Sequence, residues 1–213
     1  MDAVVDYIYT GLAAKSNTPL PPGAWGFNPN VEGYYYDPDK ARELLAEAGY
    51  ADGLKLSIWT NDNPLRMQIA EMFQANLADV GVEVEIQILP WATYLEDTAL
   101  GKHDMFILGW GTVTADADYG LYALFHSSMH GDPGNRTFYT NPRVDELLDA
   151  GRRETDPEKR MAIYWEAQET IVEDAPWVFL INTSAVNGLR DYVEGFWPHP
   201  AGHHVLGGVS VNK

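Results

Sequence analysis

The feature that most constrains this chain is the alternation between residues 54 and 109. Leu54–Thr60 is an apolar run of strand length. Pro64–Val80 carries Met67, Ile69, Ala70, Phe73, Leu77 and Val80 at helical spacing and stops at Gly81. Val82–Leu89 sets Val82, Val84, Ile86 and Ile88 against Glu83, Glu85 and Gln87, the period of a half-buried strand near a sheet edge. Pro90–Leu100 reads as a helix and Asp104–Gly109 as a further strand. Strand, helix, strand, helix, strand predicts βαβ units with right-handed crossovers and a parallel core. Three strand ends then meet at one rim. They carry Thr60-Asn61-Asp62-Asn63, Leu89-Pro90-Trp91 and Gly109-Trp110-Gly111, each polar or aromatic. In α/β sheets ligands bind beyond the carboxyl ends of the strands, so this rim is the candidate binding face.

The third strand leads into the most suggestive loop of the chain. After Met105–Leu108 come Gly109-Trp110-Gly111 and then two acids, Asp116 and Asp118, among aromatics. One reading is a pocket for a cationic group such as a ligand ammonium, with an indole to stack on its flat or apolar parts. The other is that Asp116 caps a helix beginning near Asp118 and that Trp110 belongs to the core. The sequence leaves both open.

The flanks complete the layout. Residues 2–13 have Val4, Val5, Ile8 and Leu12 at helical spacing. Residues 14–36 form a long loop with Pro19, Pro21, Pro22 and Pro29, a length expected to be functional or to pack across a neighbour. Asp37-Pro38 starts a helix with Ala41, Leu44, Leu45 and Ala48 on its apolar face. A short helix is expected near Tyr119–Phe125, longer ones over Asn141–Arg153 and Asp156–Asp174, and an apolar strand over Trp177–Asn182. The chain divides into a lead-in helix and loop (1–36), an α/β lobe (37–184) and a Gly/Pro/His-bearing segment (185–213) that reads as a tail crossing to another body.

Composition excludes several functions. With 31 acids against 14 bases, a formal net charge of −17 repels nucleic acid and anionic membranes. There is no cysteine, so neither a disulfide framework nor a thiolate metal site is available. No apolar run approaches a membrane span. The acidic start MDAVVDYIYTGLAA is not a signal peptide and begins as if inside a helix, which suggests a chain cut from something longer.

Several segments, in order, carry a resemblance: YDPDKARELLAEAGY, the strand ending in TNDNP, LADVGVEVEIQILPWATYLEDTALGKHDMFILGWG, TNPRVDELLDAGRRETDPEKR and YWEAQETIVEDAPWVFL. Together they resemble the C-terminal lobe of the peptide-type (dipeptide, oligopeptide, nickel, glutathione) solute-binding proteins of ABC importers. The resemblance implies a periplasmic-binding-protein-like lobe, a mostly parallel sheet flanked by helices, with no chemistry and no cofactor of its own. Its implied partners are a peptide-like or amine-bearing solute, an N-terminal lobe of the same protein and an ABC permease. The implied location is periplasmic or extracytoplasmic, anchored at the cell surface in the parent protein, with no direct membrane insertion. In that family an Asp in a Gly-Trp-x-x-Asp-like segment binds the ligand's α-ammonium. Here the spacing to an acid is longer, so Asp116 is the first candidate and Asp118 the second. The Trp of that segment is Trp110 here, and with Gly109, Gly111, Asn61 and Trp91 from the strand-end rim it completes the expected ligand-binding set.

Two other constellations compete. His126 and His130 lie four apart and His199, His203 and His204 cluster, which admits a nickel or metal-complex binder of the same family, since imidazole suits nickel. The clusters fall in unlike segments, and no resident metal site is assigned. A hydrolase has little to build on: no Gly-x-Ser-x-Gly elbow and no cysteine nucleophile are present, and Ser127, Ser128 and His130 are neighbours in sequence. A carboxylate pair, Asp116 with Asp118, is the remaining enzymatic alternative.

Overall fold

The computed structural model describes every residue except Pro133 and Pro200. In chain order its elements are β1 (Ala13–Lys15), α1 (Pro38–Glu47), β2 (Leu54–Asn61), α2 (Pro64–Ala78), β3 (Val82–Leu89), α3 (Trp91–Ala99), β4 (Met105–Phe106), α4 (Ala117–Phe125), α5 (Pro142–Arg153), α6 (Pro157–Asp174), β5 (Ile181–Thr183), β6 (Val193–Glu194) and β7 (Ser210–Val211). Four helices start in one way. Asp37, Asn63, Asn141 and Asp156 each precede a proline, and each side chain accepts hydrogen bonds from the first-turn amides. The cap satisfies donors that the helix cannot, and the proline removes one more.

The alternation of residues 54–109 gives the expected parallel sheet, in order β3-β2-β4. β2 pairs with β3 along its whole length, Leu54 opposite Val82 and Asn61 opposite Leu89. β3 is an edge strand, with Val82 and Val84 buried and Glu83 and Glu85 exposed, as its period requires. α2 covers one face of the sheet, and Ile58, Ala70, Val82 and Val84 form a small core there with Phe73 and Leu77 packed on it.

The larger core is helical. Leu121, Leu124 and Phe125 of α4, Val144, Leu147 and Leu148 of α5, and Tyr164, Ala167 and Ile171 of α6 bury one another, closed by Leu20 and Ala24 from the long loop. That loop does pack across a neighbour. Gln168, fully buried on α6, donates to the Gly26 carbonyl at 2.8 Å, and Trp165 Nε1 donates to the Phe27 carbonyl at 3.1 Å.

Four expectations are corrected. Residues 2–13 are not one helix. A single π turn, Val4–Ile8, ends where Thr10 and Gly11 take φ of 49° and 80°, and the chain enters β1, which pairs antiparallel with β5. Tertiary pairing overrides the helical period there. α1 keeps no buried residue, and Leu44 on its apolar face is 51% exposed. The strand expected over 104–109 narrows to Met105–Phe106, and that over 177–182 to Ile181–Thr183. Both shortened strands lack a neighbour on one edge. No helix among the described residues is long and apolar enough to cross a membrane.

Candidate functional site

The rim forms as the topology requires. Because β2, β3 and β4 are parallel, Asn61, Leu89-Pro90-Trp91 and Gly109-Trp110 leave the sheet at the same end. A residue not selected from the sequence ties them together. Arg66, in the first turn of α2, donates from Nη1 to Asn61 Oδ1 at 2.9 Å, and its Cζ lies 5.7 Å from the centroid of the Trp91 ring. A Cβ on Gly109 would stand 3.7 Å from Arg66 Nη2, so the guanidinium sits over that glycine. Arg66 therefore touches or overlies all three strand ends. A signal for it existed: a cation in the first turn of a helix opposes the helix dipole, so its position there needs a further reason.

Trp91 is 47% exposed and stacks on Tyr94, with centroids 5.9 Å apart and planes 30° from parallel. Tyr94 is fully buried, and its hydroxyl donates to the Ile107 carbonyl at 2.7 Å. That bond fixes α3 to the strand carrying Gly109 and Trp110. Burial pushes the Tyr94 phenol well above its ordinary value and keeps it a neutral donor. Gly111 has open space where a Cβ would stand. Trp110 combines both sequence readings. It stacks on Tyr119 at 5.5 Å and packs against the helical core, while its buried Nε1 has no hydrogen-bond partner among the described residues.

Asp116 is placed by the long loop. The Trp25 amide donates to the Ala115 carbonyl at 2.8 Å and the Ala117 amide to the Trp25 carbonyl at 2.9 Å, holding Asp116 in extended backbone ahead of α4. Its side chain caps α4 by accepting from the Asp118 amide at 2.9 Å. Arg160 grips the same carboxylate with both Nη atoms, at 2.9 and 2.8 Å. Arg160 is held in turn by the Gly151 carbonyl at 3.0 Å and lies over Trp25, its Cζ 4.5 Å from the ring centroid. Burial pushes the Asp116 carboxyl up, but the Arg160 and Asp118 hydrogen bonds and the guanidinium charge outweigh it and hold the group below the ordinary carboxylate range. Asp118 lies 3.0 Å from Arg152 Nε, a charge contact off the line of a hydrogen bond. Arg152 itself stacks on Tyr122, its Cζ 3.9 Å from the ring centroid. Both candidate acids thus already have arginine partners. The residue at the spacing of a Gly-Trp-x-x-Asp segment is Val113, 42% exposed.

The histidines do not converge. His126 is buried against Tyr122 and bonds Ser128, His130 faces the Tyr139 carbonyl, and His199 and His203 lie beside each other in the last segment with their rings tilted by 44°. Among the described residues no three His, Asp or Glu side chains form a group able to hold a metal ion.

A parallel sheet with a polar and aromatic rim, backed by helices, defines a ligand-binding α/β lobe. Residues 1–132 match the family described as bacterial extracellular solute-binding proteins, family 5 Middle, and the chain belongs to that family. It is 33% identical to the heme-binding protein A of Haemophilus influenzae over 99% of its own length and 39% of the relative's. It is 30% identical to the dipeptide-binding protein of Escherichia coli, covering 99% of this chain and 40% of that protein. Among solved structures it resembles the periplasmic binding protein DppA of Helicobacter pylori in complex with the peptide STSA, with a TM-score of 0.85 and 36% identity, over 100% of this chain and 42% of that one. The chain therefore spans about two fifths of the length of the curated relatives it matches.

Proposed function

We propose that these residues form one lobe of an extracytoplasmic solute-binding protein that delivers a peptide-like solute to an ABC importer, and that the lobe acts by binding alone. The observation that carries the reading is Arg66, which joins three parallel strand ends beneath an exposed indole. A planar guanidinium with donors left over, next to an aromatic face, suits a carboxylate carried by a partly apolar solute. The two candidate acids are committed elsewhere: Asp116 and Asp118 serve α4 and two arginines, and Val113 offers no charge. The solute's acidic end accordingly faces this lobe, at Arg66, Asn61, Trp91 and the Gly109-Trp110-Gly111 turn. Asp116 is a scaffold residue and not the ammonium partner. The segment 185–213, which leaves Val186, Leu206 and Val211 in solvent, returns toward a second lobe. Closure of the two lobes on the solute supplies the mechanism, driven by the solute's preference for the closed form.

The test is a thermal-shift screen of the parent protein against di- and tripeptides, run beside Arg66→Gln. Peptides that raise the melting temperature of the wild type should lose most of that shift in the variant, whose ligand-free melting temperature stays unchanged. Equal shifts in both proteins would remove Arg66 from the site.

A further inference from the structure

With 31 acids against 14 bases, a base on this chain rarely lacks a carboxylate neighbour. Among the described residues, ten of the fourteen lysines and arginines lie within 4.0 Å of one. Arg153, Arg190 and Lys213 do not, and all three are exposed. The remaining base is Arg66, partly buried at the rim. Four residues before it stands Asp62, which likewise has no base within ion-pair distance among the described residues. Asp62 is exposed and is the single carboxylate in the three strand ends.

Opposite charges this close in sequence attract, and Asn61 holds them apart. Asn61 is the last residue of β2, opposite Leu89. Its side-chain oxygen accepts from Arg66 Nη1 at 2.9 Å, and its side-chain nitrogen donates to Asp62 Oδ1 at 3.4 Å, a long bond. An amide has an acceptor end and a donor end, so each charge faces the end that suits it and the amide group stands between them. Amide oxygen and nitrogen are about 2.2 Å apart, so the acid oxygen and the guanidinium nitrogen are separated by no more than about 8.5 Å. The rim thus presents a negative and a positive group, neither neutralised, at a spacing set by one side chain.

We propose that Asp62 receives an ammonium group of the solute, so that Asp62 and Arg66 together read a short zwitterion laid along Asn61. The inference rests on the assignment of Arg66 to the solute's carboxylate and supplies the site for the opposite charge. The spacing acts as a ruler. An extended chain spans about 3.3–3.6 Å per residue, so a solute with one peptide unit between its charges, about 7 Å, reaches both groups, and one of three extended residues, about 10 Å, overshoots. Asn61 keeps one N–H and one lone pair for the polar group that lies between the solute's charges. Trp91, 47% exposed, offers an indole to an apolar side chain beside them. Diffuse attraction from a net charge of −17 draws any cation but orients none, and salt screens it. A carboxylate and a guanidinium fixed on either side of one amide orient the solute.

Calorimetry on the parent protein, with Ala-Phe, N-acetyl-Ala-Phe and Ala-Phe-amide, tests the proposal. The wild type should bind Ala-Phe about tenfold or more tightly than its N-acetyl form, the factor that a charge-assisted hydrogen bond gives. In Asp62→Asn that preference should vanish, with N-acetyl-Ala-Phe binding as it does to the wild type. A carboxylate just ahead of α2 also favours the helix dipole. That role alone would lower the melting temperature of Asp62→Asn and leave its preference for the free amine intact, which overturns the proposal. Equal weakening of free and acetylated peptide, the mark of a contact with another part of the parent, overturns it too. So does a wild type indifferent to acetylation, or one that binds none of the three at millimolar concentration. The amide separates the two readings. A preference for the free amine that Asp62→Asn abolishes, without any preference for the free acid over the amide, keeps Asp62 at the ammonium and removes Arg66 from the carboxylate.

Discussion

The assignment of Asp116 to the scaffold can be tested through stability. Asp116→Asn is the informative change, because asparagine caps helices as well as aspartate does and so isolates the ion pair. The substitution removes two charge-assisted hydrogen bonds and leaves Arg160 with the Gly151 carbonyl and two aromatic faces. Breaking a fully buried pair costs about 3–5 kcal/mol. The two side chains here are 22% and 31% exposed, so solvent screening reduces the expected loss to about 1.5–3 kcal/mol. For a chain of this size that is a fall of about 3–12 °C in melting temperature. Asp116→Ala should cost about 1 kcal/mol more, the value of the cap. The pH dependence has a definite sign. The carboxyl is held below its ordinary value of 3.8 in the folded state, so its contribution is complete above that value and is lost as the pH falls through the lower folded pKa. The gap in melting temperature between wild type and Asp116→Asn should hold from pH 7 to about 5 and close at lower pH. Asp104, whose carboxyl the Ser57 amide and hydroxyl lower in the same direction, is present in both proteins and cancels. Calorimetric melting across pH supplies the data. A variant within about 0.5 kcal/mol of wild type, or a gap that does not depend on pH, would refute the reasoning.

Three further outcomes follow from the packing. Gly26→Ala should destabilise by about 2–4 kcal/mol in urea, because Gly26 has φ of 88° and a Cβ would stand 2.7 Å from Ala117 Cβ; a loss under half a kcal/mol would mean that the loop shifts freely. Tyr94→Phe should cost about 1–2 kcal/mol by leaving the Ile107 carbonyl without its donor, and an unchanged urea midpoint would show that water replaces the hydroxyl. Trp110→Ala should lower stability by about 2–4 kcal/mol, since the indole packs on the helical core and Tyr119; a melting temperature equal to wild type would make it a ligand contact alone.

Periodicity revealed the elements whose partners are near in sequence. β2, α2, β3 and α3 lie within forty-six residues, from Leu54 to Ala99, and the apolar residues of β2, α2 and β3 pack into one small core. What escaped depends on distant partners. Ala13–Lys15 becomes a strand only because Ile181–Thr183 lies beside it. The helical core needs Leu20 and Ala24 to close it from a loop without regular structure. At the site, the capping role of Asp116 was legible as one of two readings, because a cap is a local pattern. Its second partner, Arg160, is 44 residues away and leaves no local trace. Arg66 left a faint one, a cation where the helix dipole disfavours it.

The claim that this lobe receives a carboxylate at Arg66 is tested most directly by calorimetry on the parent protein with one peptide in two forms, the free acid and its C-terminal amide. The free acid should bind about ten- to a hundredfold more tightly, the factor that a charge-assisted hydrogen bond of about 1.5–3 kcal/mol gives. In Arg66→Gln that difference should vanish, with the amide binding as it does to the wild type. Equal affinity for acid and amide in the wild type, or a preference that survives in the variant, would contradict the account.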